Sequence, residues 1–300
     1  MTQTTSTVFM VKPVCFGFND QTAKNNPFQK EGFREGAQEK ALNESNNFVK
    51  LLKDNGIKVV LAEDTLEPKT PDSIFPNNWF STHQGGFLVV YPMFAPNRRA
   101  ERKQVFLDAI KSHYNYKTLI DLTNWENEGK FLEGTGSMVL DRVNKVAYAC
   151  KSPRTCEEVF NDFCKLLGYT PILFNAVDKN DIMIYHTNVL MCIGSTFAIV
   201  CTDTIKDKEE KNKVLVSLEK SGKKLVEISF EQMEKYAGNM LEVKNEEGKR
   251  FLIMSQTAYD CLNKEQKEYL EKECTILHPQ IEYIEKNGGG AARCMLAELF

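Results

Sequence analysis

The chain is 300 residues long, 42% hydrophobic and nearly balanced in charge, with 38 basic and 41 acidic side chains giving a formal charge of -3. This supports a large buried core in one or two domains and argues against nucleic acid as a partner, because duplex binders present a basic face. Nine cysteines with no CxxC spacing and four histidines without ligand spacing argue against a disulfide framework and against a metal, and point to free thiols in a reducing compartment.

The opening MTQTTSTV has no basic n-region and no apolar h-region, and no apolar run approaches a bilayer span, so the expectation is a cytoplasmic protein with no membrane partner. Val8–Val11 reads as a buried strand ending at Pro13. Residues 15–33 are punctuated by Gly, Asn and Pro and are long for a loop in a compact domain; ordered loops of that length often cover sites. Residues 34–54 have helical spacing, with Ala37, Ala41, Phe48, Leu51 and Leu52 available for one face and Asn55-Gly56 as the stop. Beyond them strands are expected at 58–62, 86–91, 117–121, 137–142, 145–151, 171–175, 189–193, 197–202, 224–229, 240–243, 251–255 and 294–299. Helical patterns fall at 98–111, 155–167, 204–220, 231–236 and 264–273. The charge run 205–213 reads as a solvated helix face, and Asn245–Gly248 as a hairpin turn. Strand pairs with a helix between them recur without a shift in composition, which gives an α/β chain organised as one domain over residues 1–300.

Four segments do not read as ordinary structure: PDSIFPNNWF at 71–80, EGTGS at 133–137, YHTN at 185–188 and NGGGAARC at 287–294. Three consecutive glycines let a backbone pass close to a ligand, and a cysteine just after them, at the start of a strand, can turn its sulfur into that space. Alone, Cys294 would be a core thiol, His186 a structural histidine and Glu133 a surface acid. Together they form a complete set of parts. A free thiol titrates near ~8.5 and needs help to become the thiolate. A histidine can protonate a leaving amine and then activate water. A carboxylate beside the imidazole orients the ring and raises its pKa.

These segments are recognisable. PDSIFPNNWFSTH, EGTGSMVLDR, SPRT, YHTN and GGGAARCMLAE occur in the order found in the guanidino-group modifying superfamily of arginine deiminases, dimethylargininases and amidinotransferases. Over essentially the whole chain the sequence most closely resembles its citrulline hydrolase (citrulline ureidase) branch. The resemblance implies the pentein fold, a five-bladed α/β propeller of ββαβ units with the site in its central channel. It implies Cys294 as nucleophile, His186 as acid–base and Glu133 as the acid of the catalytic set. It assigns Arg154 to the substrate α-carboxylate, where a planar guanidinium suits a bidentate contact, and Asp72 to the α-amino group. It implies a small amino-acid substrate, no cofactor, and a homodimer as a state common among relatives.

The departures from the family pattern bear on substrate. Guanidinium-binding members usually carry Asp where this chain has Asn78, dimethylargininases carry an acid also at Asn77, and arginine deiminases carry Asp at Asn188. A neutral amide offers a C=O and an NH2, which match the NH and C=O of a ureido group, whereas a buried guanidinium facing amides lacks its counter-charge at a cost of ~3–5 kcal/mol. Citrulline is therefore the expected substrate, cut to ornithine, ammonia and carbon dioxide. Three rivals remain: a deiminase or dimethylargininase, an amidinotransferase, which must exclude water, and a non-catalytic propeller module, which predicts loss of the Cys, His and Glu that are present here.

Overall fold

The computed structural model describes residues 2–30 and 36–300. Fifteen strands among the described residues form five three-stranded sheets. Strands β1 (Thr7–Lys12) and β2 (Lys58–Glu63) form the first unit, and β3 (Phe80–His83), β4 (Phe87–Val90) and β5 (Thr118–Asp121) the second. The third holds β6 (Met138–Asp141), β7 (Val146–Cys150) and β8 (Thr170–Phe174), and the fourth β9 (Met191–Ile193), β10 (Phe197–Val200) and β11 (Lys224–Glu227). The fifth holds β12 (Leu241–Lys244), β13 (Arg250–Ile253) and β14 (Thr275–Leu277), and β15 (Ala297–Leu299) returns to the first.

The connectivity repeats. A strand pairs antiparallel with the next, which pairs parallel with a third, as in β3–β4–β5 and β6–β7–β8. Parallel pairs need a long crossover, and a helix supplies it: Ala37–Asp54, Gln104–His113, Glu157–Leu167, Lys208–Lys220 and Lys264–Glu273 in the successive sheets. In the first sheet β15 runs antiparallel to β1, with Thr7 opposite Leu299, so the sequence-distant ends of the unit series close a ring. This is the pentein arrangement.

The helix Ala37–Asp54 shows why these segments fold as they do. Ala37, Ala41, Ser45, Phe48, Val49 and Leu52 are buried along one stripe, while the polar positions face out. The helix starts at Ala37; residues 34 and 35 of the expected span lie outside the described residues, and Leu51 is only half-buried. The charge run at 205–213 falls on the exposed start of Lys208–Lys220, whose Val214 and Leu218 are buried. The 245–248 turn closes with the Gly248 N–H donating to the Asn245 carbonyl at 3.0 Å.

Three expectations need correction. The span 98–111 is not one helix but Pro96–Arg99 followed by Gln104–His113. The break allows Arg98 and Lys103 to bury their charged ends: Lys103 Nζ reaches Asp64 Oδ1 at 2.6 Å, and Arg98 turns inward to Glu101 at 2.8 Å. Cys294 does not start a strand, because β15 begins at Ala297 and Cys294 lies in the preceding turn, its N–H on the Ala291 carbonyl at 3.0 Å. Strands β3 and β14 and the helices Gln256–Cys261 and Glu282–Gly288 lie outside the expected spans: β3 follows directly on the polar turn Pro76–Asn78, and Glu282–Gly288 runs into the glycine-rich segment. No helix among the described residues is long and apolar enough to cross a membrane.

An aromatic layer joins the fold to its centre. Phe9 meets Phe80 edge-on at 5.4 Å and Phe106 at 6.2 Å, and Trp79 stacks over Phe106 at 6.3 Å. This layer backs the turn that carries Asn77 and Asn78. Phe106 is fully buried, so Phe106→Ala is expected to remove ~3–5 kcal/mol of unfolding free energy in a urea titration; a loss below ~1 kcal/mol would mean the layer repacks without it.

Candidate active site

Each sheet is entered through a short turn ahead of its first strand, and the five turns meet at the centre of the ring. The turn Pro76–Asn78 leads into β3, and Glu133 caps the one-turn helix Gly134–Ser137 before β6. His186 caps the turn Thr187–Val189 before β9. Asn239 precedes β12, and Cys294 precedes β15. Close backbone approach is required at Gly136, where a Cβ would lie 2.4 Å from Asn78 Nδ2 and 2.9 Å from the His186 ring. The cavity between the turns is lined by Asp72, Asn78, Arg98, Arg154, His186 and Cys294.

Glu133 organises the charge. Its Oε1 accepts the Phe94 N–H at 3.0 Å, and its Oε2 accepts from His186 Nε2 at 2.8 Å and from Arg154 Nη1 at 3.4 Å. Burial alone would push its carboxyl up, but Arg154, His186 and Arg98 together hold it well below the usual carboxylate range. An ionised carboxylate only accepts, so the His186 proton sits on Nε2 and Nδ1 keeps its lone pair. Burial also lowers the His186 pKa to about 4, with Arg154 and Arg98 adding to the effect and Glu133 opposing it. The expected rise from the neighbouring carboxylate is thus overturned: desolvation outweighs the ion pair, and the resting ring is a neutral base.

Arg98 fixes the pocket amide. It is clamped by Glu101 through Nε at 2.8 Å and Nη2 at 2.9 Å, and its Nη1 donates to Asn78 Oδ1 at 2.7 Å. Since Arg98 can only donate, Asn78 must take that contact through oxygen and turn its NH2 the other way. Asn78 Nδ2 has no partner, nor do Asp72 Oδ1, Asn77 Oδ1 and Asn188 Oδ1, although all four atoms are buried. Buried polar atoms are normally satisfied; of these residues Asp72 and Asn78 line the cavity. Burial raises the Asp72 carboxyl against the pull of Arg98, and its Oδ2 accepts from Asn19 at 2.7 Å and Thr22 at 3.0 Å.

The residues expected from the sequence are therefore gathered here, with differences in depth. Asp72, Asn78, Arg154, His186 and Cys294 face the cavity. Asn77 and Asn188 stand beside it, Asn77 Nδ2 donating to Thr135 Oγ1 at 3.4 Å and Asn188 Nδ2 lying 3.6 Å from Cys294 Sγ. Of the loop expected as a cover, Asn19, Thr22, Asn25 and Asn26 reach the site, while Cys15 and the Phe16 N–H bond to Leu66 and Gln38; positions 31–33 are outside the described residues. Arg154 Nε donates to Asn25 Oδ1 at 3.1 Å, its Nη2 donates to the same oxygen and to the Thr22 carbonyl at 3.0 Å, and Asn26 Nδ2 donates to the Gly289 carbonyl at 3.2 Å. Arg154 is buried and lies 4.8 Å over the Tyr185 ring.

Two residues of the site escaped sequence reasoning. Arg98 sits in a run with helical spacing and gave no signal. Asn239 did leave one: AGNML ahead of β12 repeats the pattern of a Gly- or Asn-bearing turn before a strand that marked the other four entrances.

A family model for eukaryotic N,N-dimethylarginine dimethylhydrolase matches residues 12–300. No curated protein matches significantly. Among solved structures, ArgZ, an arginine dihydrolase from the ornithine–ammonia cycle in Cyanobacteria, superposes with a TM-score of 0.77 at 17% identity over 97% of this chain and 40% of that one. The chain thus spans about two-fifths of that protein. It corresponds to the N-terminal domain of ArgZ, solved with substrate bound, at the same TM-score and identity over 97% of this chain and 98% of that one. Dimethylargininase (DDAH) from Pseudomonas aeruginosa, a cysteine-to-serine variant complexed with citrulline, superposes with a TM-score of 0.68 at 14% identity over 98% and 99% of the two chains. At these identities the likeness to the solved structures is one of fold.

By NMR of the imidazole nitrogens, His186 is expected to be the neutral Nε2–H tautomer at pH 7 and to titrate near 4. Its folded pKa lies below the ordinary ~6.5, so between these values the unfolded chain binds more protons and this group makes stability rise with pH; above that window it contributes no pH dependence. A midpoint above 6 would mean that Glu133 outweighs burial.

Proposed function

The chain belongs to the N,N-dimethylarginine dimethylhydrolase family, and within it we propose that residues 1–300 form one catalytic unit that hydrolyses the ureido group of L-citrulline to ornithine, ammonia and carbon dioxide. The observation that carries the choice of substrate is the orientation of Asn78. Arg98 holds its oxygen at 2.7 Å, so it offers a donor to the pocket. A guanidinium has only donors and would meet that NH2 unfavourably, whereas a ureido group has one carbonyl oxygen to accept from it. The free oxygens of Asn77 and Asn188 suit the ureido N–H groups, and the free Asp72 oxygen suits the α-ammonium. Arg154 is the group for the α-carboxylate, which would take over the contacts now made by Asn25 and Thr22.

In the reaction the Cys294 thiol gives its proton to His186 Nδ1, and the thiolate attacks the ureido carbon. The imidazolium so formed is stabilised by Glu133 at 2.8 Å and protonates a leaving nitrogen. This leaves a thiocarbamate on Cys294. His186, neutral again, takes a proton from water as it attacks, the thiolate departs, and the carbamate product breaks down to amine and carbon dioxide. One water is consumed overall. Glu133 stays ionised and holds the ring in the tautomer that can act as base.

A second reading is favoured by the family match itself: a guanidino hydrolase acting on arginine or a methylated arginine. One assay separates the two. L-citrulline, L-arginine and asymmetric dimethylarginine are supplied in parallel, and ornithine, citrulline and ammonia are followed. Ornithine from citrulline alone supports the ureidase; citrulline from either arginine supports the second reading, and ornithine from arginine a dihydrolase that performs both steps. Cys294→Ala is expected to abolish turnover, and His186→Ala to lower kcat ~10²–10⁴-fold. Asn78→Asp removes the donor and adds charge, so kcat/KM for citrulline is expected to fall roughly ten- to a hundred-fold. An unchanged value would remove the basis for preferring the ureido group.

A further inference from the structure

The nucleophile's sulfur needs stabilisation as a thiolate, and its hydrogen-bond partners among the described residues are not cations. They are two amides: Asn239 Nδ2 lies 3.2 Å from Cys294 Sγ and Asn188 Nδ2 3.6 Å from it. The shorter contact is also the better determined. Asn239 Oδ1 accepts the backbone N–H of Arg293 at 3.1 Å, and Asn239 Nδ2 donates to the Asn188 carbonyl at 3.1 Å. Flipping the amide would set two donors against each other at Arg293 and two acceptors against each other at Asn188. The side chain is therefore locked with one N–H on the carbonyl and the other on the sulfur. It is 2% exposed. The backbone is drawn in to make this possible: a Cβ at Gly238 would lie 2.2 Å from the Val189 carbonyl oxygen, so only glycine lets the β12 entrance approach the β9 entrance this closely.

We propose that Asn239 is a catalytic residue that donates an N–H···S hydrogen bond to the Cys294 thiolate, stabilising the charged sulfur with a fixed neutral dipole; this rests on the reading of Cys294 as the nucleophile. Hydrogen bonding to the charged form favours it, and a thiolate stabilised in this way is also the better leaving group when the thiocarbamate is hydrolysed. In the thiol state the same side chain serves in reverse, since the S–H can point at Asn239 Oδ1, 3.6 Å away. Asn239 thus stays in contact with the sulfur through both protonation states without moving. A neutral donor suits a pocket that must accept a neutral group, because it adds no positive charge beside the carbon under attack.

The test compares the wild type, Asn239→Ala, Asn239→Asp and Cys294→Ser. The pH dependence of iodoacetamide alkylation is read at the Cys294 peptide by mass spectrometry, alongside steady-state turnover of citrulline and both arginines. Both Asn239 variants are expected to move the alkylation profile to higher pH, with about tenfold or greater loss of rate at pH 7, and to lower kcat by a similar factor while KM stays within about threefold. In the wild type, the Asn239 side-chain NH2 resonance should shift along the same pH profile, and that shift should vanish in Cys294→Ser; this readout survives if a variant does not fold. An alkylation profile unchanged in the variants, or a side-chain resonance that does not follow the thiol, overturns the inference. Turnover by Cys294→Ser would instead overturn the nucleophile reading beneath it.

Discussion

The buried carboxylate of Glu133 is the constraint around which the centre is arranged. A charge so far from water is stable only if it is matched and hydrogen-bonded, and Arg154, His186 and the Phe94 N–H supply those contacts from three directions. Each contact has a further effect. Arg154 is drawn out of solvent to a place where the covering loop can bind it. His186 is fixed in one tautomer. Arg98, whose Nη1 stands 4.0 Å from the same carboxylate, is held close enough by Glu101 to orient Asn78. Removing the Glu133 charge would leave Arg154 without its carboxylate partner, while Arg98 would keep Glu101.

The fold delivers these side chains by repetition. Five similar sheets each present the turn before their first strand to the axis, so a compact site is assembled from residues far apart in sequence, with no single loop long enough to hold it. Each turn contributes differently: amides at 77 and 78, a carboxylate at 133, imidazole and amide at 186 and 188, an amide at 239 and a thiol at 294. The aromatic rings at the cavity itself are Phe75 and Tyr185, and the layer of Phe9, Trp79, Phe80 and Phe106 packs in the core, with Trp79 and Phe80 next in sequence to the Asn77–Asn78 turn.

The sequence made the alternation of strands and helices legible because the longer elements carry a clear period, as Ala41, Phe48 and Leu52 do in the first helix. Length does not account for the missed β3 and β14, since β9 and β15 are as short and were expected; β14 follows directly on the helix Lys264–Glu273 and merges with its end. Pro76 and the paired asparagines also hid β3 behind what read as a polar motif. The site's parts were legible as unusual turns, but their environment was not. His186 was expected to be raised by its carboxylate, and nothing in the sequence gives the depth of burial that lowers it instead. Arg98 was hidden for the same reason: a basic residue in an amphipathic run becomes a pocket residue only because the helix breaks after Arg99 and Lys103 finds its own partner in Asp64.

The pairing of β15 with β1 has a consequence for how the protein folds. It joins Thr7 to Leu299, so its contact order is as high as the chain allows, and such non-local pairings form late because loop-closure entropy is lost before contacts repay it. Cys294 lies in the turn that this strand carries, and its sulfur reaches Asn239 and Asn188 only when the strand has docked. In a folding chain the other four entrances can therefore be in place while the thiol is still outside the ring. The contacts of the Cys294 sulfur with Asn239 and Asn188 are then made only on the closure that completes the structure, so partly folded molecules lack an assembled site.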